Sequence, residues 1–183
     1  MISVLVSCAS PTKFNEYEEG AWDIRAMIRD KRAAKSALVN VDAVARKPDQ
    51  LRMDFSTSIG MELGYFILNR DKVSYYLAKT NKKRQVNASP RAMRPLIHTD
   101  LDPYLLVKIL FDEEPKGKHW QCERDEKGFL SKCNNSNKKI SLQWLKRKSQ
   151  QRAIEVETPS ARIQLSLKGF RSKVETSADT FQI

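Results

Sequence analysis

The sequence predicts a mainly β protein of the α+β class, built on one large curved antiparallel sheet or a barrel, and three observations predict it. Apolar residues recur at every second position through most of the chain from Trp22 onward, the spacing at which one face of a strand meets a core and the other meets water. Turn-forming groups interrupt these stretches at Asn69-Arg70-Asp71-Lys72, at Asp125-Glu126-Lys127-Gly128 and at Thr158-Pro159-Ser160. Pro103 to Asp112 alone carries a strong helix signature. About nine to eleven strands with too few helices to cover two faces leave a bent sheet or a barrel.

The elements follow in order. Trp22-Asp23-Ile24 and Ser36 to Val41 are the early strands. Leu51, Met53 and Phe55 alternate with polar residues, Met61, Leu63, Tyr65 and Ile67 continue the habit, and Val73, Tyr75 and Leu77 resume it after the Asn69–Lys72 turn, which makes a meander. Ser89 to Thr99 contains two prolines and has room for a helical turn. Asp102-Pro103 then opens a helix, with the aspartate as N-cap and the proline at the first helical position, and the helix stops before Glu114-Pro115. Only Lys108 and the end aspartates are polar in it, so it is buried on most sides. It either plugs the concave side of the sheet or forms a lid over an apolar cavity. Ile140-Ser141-Leu142-Gln143-Trp144, Ala153 to Val156 and Ile163 to Leu167 are the later strands, with Lys168-Gly169 as a break.

A chain of 183 residues is long enough for one domain with a real core. With 40% hydrophobic and 30% charged residues it is neither collagen-like nor wholly disordered. The longest run free of charge, Met1 to Thr12, falls short of the ~20 apolar residues of a membrane-spanning helix. Lys and Arg exceed Asp and Glu by 33 to 22, and the net charge of +11 draws the protein toward nucleic acid or an anionic lipid surface. The basic runs Lys82-Lys83-Arg84, Lys138-Lys139 and Lys146-Arg147-Lys148 would each gain about 1 kcal/mol per cation near anionic headgroups; each is also an ordinary solvated face. No nucleophile elbow, phosphate-binding loop or dinucleotide glycine pattern is present, and neither His98 nor His119 sits in a nucleophile or metal arrangement. No enzyme activity, metal or cofactor is therefore expected. A basic β domain stacking single-stranded nucleic acid on Tyr75, Tyr76 and Trp144 is the alternative to a lipid surface.

The three cysteines fall in two contexts. Leu5-Val6-Ser7-Cys8 resembles a bacterial lipobox, whose cysteine receives a diacylglycerol. The apolar segment before Cys8 is shorter than the usual ~7 to 15 residues and lacks a basic start, and the competing reading is a short buried strand. Trp120 to Arg124 and Phe129 to Cys133 flank a glycine turn. If Lys127-Gly128 is the loop, the numbers of antiparallel partners add to 255, as those of Cys122 and Cys133 do. The two sulfurs then face each other within disulfide range, in an oxidising compartment such as the periplasm. A zinc site using His119, Cys122 and Cys133 lacks a fourth ligand, and two free thiols are the remaining option.

Leu51 to Leu63, Met93 to Ile97 and Leu101 to Leu110, taken in this order, resemble the LolA/LolB superfamily of bacterial lipoprotein carriers and receptors over about Trp22 to Leu167. With Cys8 in a lipobox, the chain resembles most the outer-membrane receptor branch, LolB, whose members are lipoproteins. The resemblance implies an unclosed β-barrel capped by one or two short helices, with Leu101, Tyr104, Leu105 and Ile109 in the capping helix. It also implies an apolar cavity for lipid acyl chains or lipoproteins, with a periplasmic LolA-like carrier as a partner. Strand alternation offers Met53, Phe55, Leu63, Tyr65, Ile67, Val73, Tyr75 and Leu77 as its lining, or as ordinary core. The position matching the family's membrane-inserting loop is Ile59-Gly60-Met61, with Ile59 either a wedge or folded onto the core. Residues 1–7 are then a truncated lipoprotein signal, 8–20 an anchor and tether, and 21–183 the domain. The expected protein is a monomer anchored by lipid to the bacterial outer membrane and facing the periplasm, with no nucleic acid bound. A structural lipoprotein without a transported ligand is the other alternative.

Overall fold

The computed structural model of the protein describes residues 11–177 and 179–182, so Cys8 and the segment before it lie outside the described residues. Strands β1 (Glu19–Asp30), β2 (Lys35–Arg46), β3 (Gln50–Ser56), β4 (Glu62–Asn69), β5 (Lys72–Leu77) and β6 (Lys82–Asn87) precede the helices α1 (Arg94–Ile97) and α2 (Pro103–Leu110). Strands β7 (Trp120–Arg124), β8 (Leu130–Asn135), β9 (Ile140–Lys148), β10 (Gln151–Glu157) and β11 (Ala161–Arg171) follow. All eleven form one antiparallel sheet in the order β6-β5-β4-β3-β2-β1-β11-β10-β9-β8-β7. The first and last strands meet in its middle, and β6 and β7 remain as edges, so the sheet does not close into a barrel. Strand twist accumulating at ~20–25° per neighbour bends it into a trough, and the helical segment between β6 and β7 packs into the concave side.

Register decides which side chains face that trough. The β4–β5 hairpin closes at Asn69 opposite Lys72, leaving a two-residue turn, so odd-numbered residues of β4 oppose even-numbered residues of β5. Phe66 therefore faces Tyr75 and Leu68 faces Val73, while Met53 of β3 lies opposite Phe66. Met53, Phe55, Val73, Tyr75 and Leu77 share the concave face as expected from alternation, but Leu63, Tyr65 and Ile67 do not. Those three lie on the convex face, and Phe66 and Leu68 take their place in the core. The run Tyr65-Phe66-Ile67-Leu68 is apolar at both parities, and the turn length selects between them. Ile67 is still buried: it pairs with Arg52, whose guanidinium donates to the Thr180 carbonyl at 3.4 Å, where the C-terminal segment crosses the convex face.

Two further departures have local causes. Phe14 sits in a 3-10 turn, Phe14–Glu16, and is buried with its ring 4.9 Å edge-on to Phe170. The packed domain thus begins within the stretch read as a tether, because one aromatic residue anchors an otherwise polar segment. At Lys168-Gly169 the strand does not break. It bulges between the pairs Ala21–Arg171 and Asp23–Lys168, with Gly169 at φ +60° and no room for a Cβ beside the Asp23 carboxylate.

Cys122 and Cys133 are opposite one another with Cα atoms 4.1 Å apart and are joined in a disulfide. The route to this register differs from a two-residue loop. Asp125 N–H donates to the Phe129 carbonyl at 2.8 Å across a three-residue loop with Gly128 at φ +80°. A bulge between the pairs Glu123–Lys132 and Arg124–Leu130 then restores the alignment of the cysteines. The oxidised pair leaves no thiolate for zinc.

Candidate functional site

The middle of the sheet is lined on its concave side by small residues, Ala26, Ala43 and Ala45, all buried. They leave depth for the helical segment, which fills most but not all of it. Between the two lies a hollow of about 50 Å³. Its walls are Ile24, Ala26 and Ile28 of β1, Val41 of β2, Met53 and Phe55 of β3, and Val156, Ile163 and Leu165 of β10 and β11. Its roof is Met93, Leu96, Ile97 and Leu101 with Leu106, Ile109 and Leu110 of α2. Every one of these side chains is apolar, so the hollow offers water no partner and stays dry. Of the residues expected to line it, Met53 and Phe55 do; Val73, Tyr75 and Leu77 belong to the same concave core on the β5 side.

The roof is fastened unequally. At the start of α2 the Asp102 carboxylate accepts from Tyr104 N–H at 3.1 Å, and the Tyr104 hydroxyl donates to the Arg70 carbonyl at 2.9 Å. At its end, buried Arg152 of β10 donates to the Ile109 and Leu110 carbonyls of the last helical turn, where the helix dipole is negative. Asp112 answers that charge. It accepts from Trp144 Nε1 at 2.8 Å and from Arg152 at 3.3 Å, and it pairs with Arg147. Burial pulls the Arg152 guanidinium down to about 10, against the pull of Asp112, so it remains charged at neutral pH. Glu113 extends the fastening. Burial would raise its carboxyl, but the ammonium groups of Lys108 and Lys47 outweigh burial and hold it below the ordinary range.

The segment before α2 has fewer ties. A 3-10 turn, Pro90–Met93, and α1 present Met93, Leu96 and Ile97 to the hollow. The segment's polar links to the sheet are hydroxyls: Ser160 donates to Thr99 at 2.7 Å, and Thr99 meets Thr158 at 3.0 Å. The Arg94–Asp100 pair lies within the segment itself. Leu101, Leu105 and Ile109 are buried in the roof and Tyr104 is half-buried. Residue-level reading missed the Arg152–Asp112 network. The signal was an arginine at a core-facing position of β10, two residues before Ile154 and four before Val156.

At one end of the sheet the β3–β4 turn projects Ile59, which is 79% exposed. The turn is well made: Thr57 N–H donates to the Met61 carbonyl at 2.8 Å, Met61 N–H donates to the Thr57 hydroxyl at 3.1 Å, and Gly60 adopts φ +83°. Ile59 is thus held out in solvent rather than folded onto the core, and Met61 is exposed beside it. Of the aromatic residues considered for base stacking, Tyr75 and Trp144 are buried and only Tyr76 is half-exposed. Among the described residues no group of three or more His, Cys, Asp and Glu is placed to hold a metal, and no helix is long and apolar enough to cross a membrane.

No family model matches the chain, and no curated protein matches it in sequence. Solved structures do match. A DUF1329 family protein from Desulfovibrio piger superposes with a TM-score of 0.59 at 12% identity, over 92% of this chain and 91% of that one. A LolA superfamily protein from Nitrosomonas europaea gives 0.57 at 6% identity, over 93% and 94%. An outer membrane lipoprotein-sorting protein domain from Vibrio parahaemolyticus gives 0.51 at 7% identity, over 90% and 89%. The chain shares their fold. At these identities the likeness is one of architecture, and it spans nearly the whole of each chain.

Proposed function

We propose that the protein is a lipid-anchored carrier at the bacterial outer membrane, facing the periplasm, that takes an acyl chain of a lipid or lipoprotein between its sheet and its helical roof. The observation that carries this reading is the hollow with wholly apolar walls beneath a roof whose charged fastening to the sheet lies at the end of α2, while the segment before α2 is tied by hydroxyls. At about 50 Å³ the hollow is a seed for a site, since bound organic ligands commonly occupy ~300 Å³ or more. An acyl chain gains room when Met93, Leu96 and Ile97 withdraw while α2 stays pinned by Arg152 and Asp112. Each methylene moved out of water contributes about 0.8 kcal/mol, which offsets re-exposure of the displaced side chains once the guest is several carbons long. Met93 suits this role because its unbranched side chain repacks easily.

In this reading the Ile59 turn enters the acyl layer of the membrane, where burying one large side chain contributes about 1.5 to 3 kcal/mol. Cys8 carries the lipid anchor, and a LolA-like carrier delivers the cargo. The likeness to a lipoprotein-sorting domain supports this role. Native mass spectrometry of the full chain with Cys8→Ser tests it: co-purifying lipid or captured fatty acid is expected, and a ligand-free protein that ignores added fatty acid overturns it. Ile59→Glu is expected to abolish delivery of a bound acylated peptide to vesicles while leaving acyl capture and thermal unfolding unchanged. Undiminished delivery removes the turn from the mechanism.

A further inference from the structure

The distribution of exposed apolar and cationic side chains over the sheet is uneven. Because the strands run as a meander, the β1–β2, β3–β4 and β5–β6 turns all project from the same end, side by side in the order of the sheet. The middle turn bears Ile59, Met61 and, at its base, Leu63. On the adjoining hairpin Met27 pairs directly with Leu38, and both are exposed on the convex face. Leu38 lies two residues beyond Asn40, which pairs with Ser56 and donates to the Thr57 carbonyl at 3.3 Å, so it is level with the projecting turn. These five are most of the large apolar side chains that the structure exposes.

The flanking turns are basic. Residues 29–36, 56–63 and 78–84 together hold eight Lys and Arg against two carboxylates, Asp30 and Glu62. Asp30 is spent on its own turn, accepting from Arg32 N–H and Ala33 N–H at 2.8 and 3.0 Å. Lys31 pairs with Glu157. Arg29, Arg32 and Lys35 on one side, and Lys79, Lys82 and Lys83 on the other, have no ion-pair partner among the described residues. Six neighbouring strands span about 25 Å, so an apolar ridge sits between two cationic flanks on a surface the width of several lipid headgroups.

We infer that this end of the sheet is a docking surface for an anionic lipid bilayer, with the β1–β2 and β5–β6 turns binding headgroups and the Ile59 turn and the Met27–Leu38 pair reaching the acyl layer. Charge complementarity selects the occupant: the cations are unpaired, they lie on both sides of the ridge, and a bilayer offers anionic headgroups above hydrocarbon in that same arrangement. The inference deepens the membrane reading of the Ile59 turn and is independent of whether the hollow takes an acyl chain. Failure of one leaves the other standing, because vesicle binding and fatty-acid capture are separate measurements.

Vesicle co-sedimentation of the full chain with Cys8→Ser tests it. Binding is expected to vesicles of equimolar phosphatidylglycerol and phosphatidylcholine, not to phosphatidylcholine alone, and is expected to fall away as the Debye length drops from about 10 Å to about 3 Å. Reversing four charges together, Arg32→Glu, Lys35→Glu, Lys82→Glu and Lys83→Glu, is expected to weaken binding by about tenfold or more. The same number of reversals toward the opposite end, at Lys127, Lys146, Lys148 and Lys173, leaves it nearly unchanged. Leu38→Ser is expected to weaken binding about threefold at any salt concentration. Equal losses from both sets of reversals reduce the effect to net charge and overturn the inference. So does equal binding to neutral vesicles, or a single-stranded oligonucleotide that binds through these turns when vesicles do not.

Discussion

Ala26 is the smallest side chain on the wall of the hollow, between Ile24 and Ile28 on the concave face of β1. Valine at this position places two methyl groups in the empty space without changing the polarity of the wall, and it favours strand geometry. An unfilled volume costs about 24 cal/mol per Å³, so a hollow of about 50 Å³ stores roughly 1.2 kcal/mol. Ala26→Val is expected to recover up to about 1 kcal/mol of this, a rise in Tm of about 2–4 °C for a chain of this length. The same substitution occupies the seed of the proposed site, so acyl capture should weaken as stability rises. Thermal unfolding followed by circular dichroism gives the first quantity, and titration with a fluorescent fatty acid gives the second. A fall in Tm would mean that valine overpacks, at about 1–3 kcal/mol, and that the space is not beside Ala26. A stabilised protein that captures fatty acid as well as before would refute the reasoning more deeply, since the guest would then lie elsewhere.

Asp112→Asn leaves Arg152 and Arg147 without a counter-charge at the end of α2 and is expected to cost about 3 kcal/mol or more, read from urea unfolding; a loss below 1 kcal/mol would show that the network does not hold the roof. Replacing both Cys122 and Cys133 by alanine opens a loop with a sequence separation of 11 and should lower stability by about 3 kcal/mol, an effect that a reducing agent reproduces in the unaltered chain and not in the variant. Lowering the pH should destabilise the fold through Asp100, held below its ordinary 3.8 by the Arg94 guanidinium, and Glu157, held below 4.5 by the Lys31 ammonium. Glu113, also held low once its lysines outweigh burial, adds to them. Because the folded values lie below the unfolded ones, the contribution is complete above about pH 5 and is lost as pH falls through the folded values below about 4. A Tm that stays level from pH 7 to pH 3 would contradict this.

Alternating strands, turn residues at their ends and a helix opened by Asp102-Pro103 are properties of short stretches of chain, so the antiparallel sheet and its short helical cover are legible in the residues alone. The pairing of Cys122 with Cys133 is legible for the same reason, although a longer loop and a compensating bulge produce it. Other features depend on partners distant in sequence. Whether Tyr65 or Phe66 enters the core is set by turn length and by strands on either side, not by an apolar run that satisfies both choices. Phe14 joins the core only because Phe170 and Trp22 meet it there. The hollow is the difference between the depth left by Ala26, Ala43 and Ala45 and the bulk supplied by a helical segment some fifty to eighty-five residues away. No local pattern encodes a volume, which exists only once both surfaces are brought together.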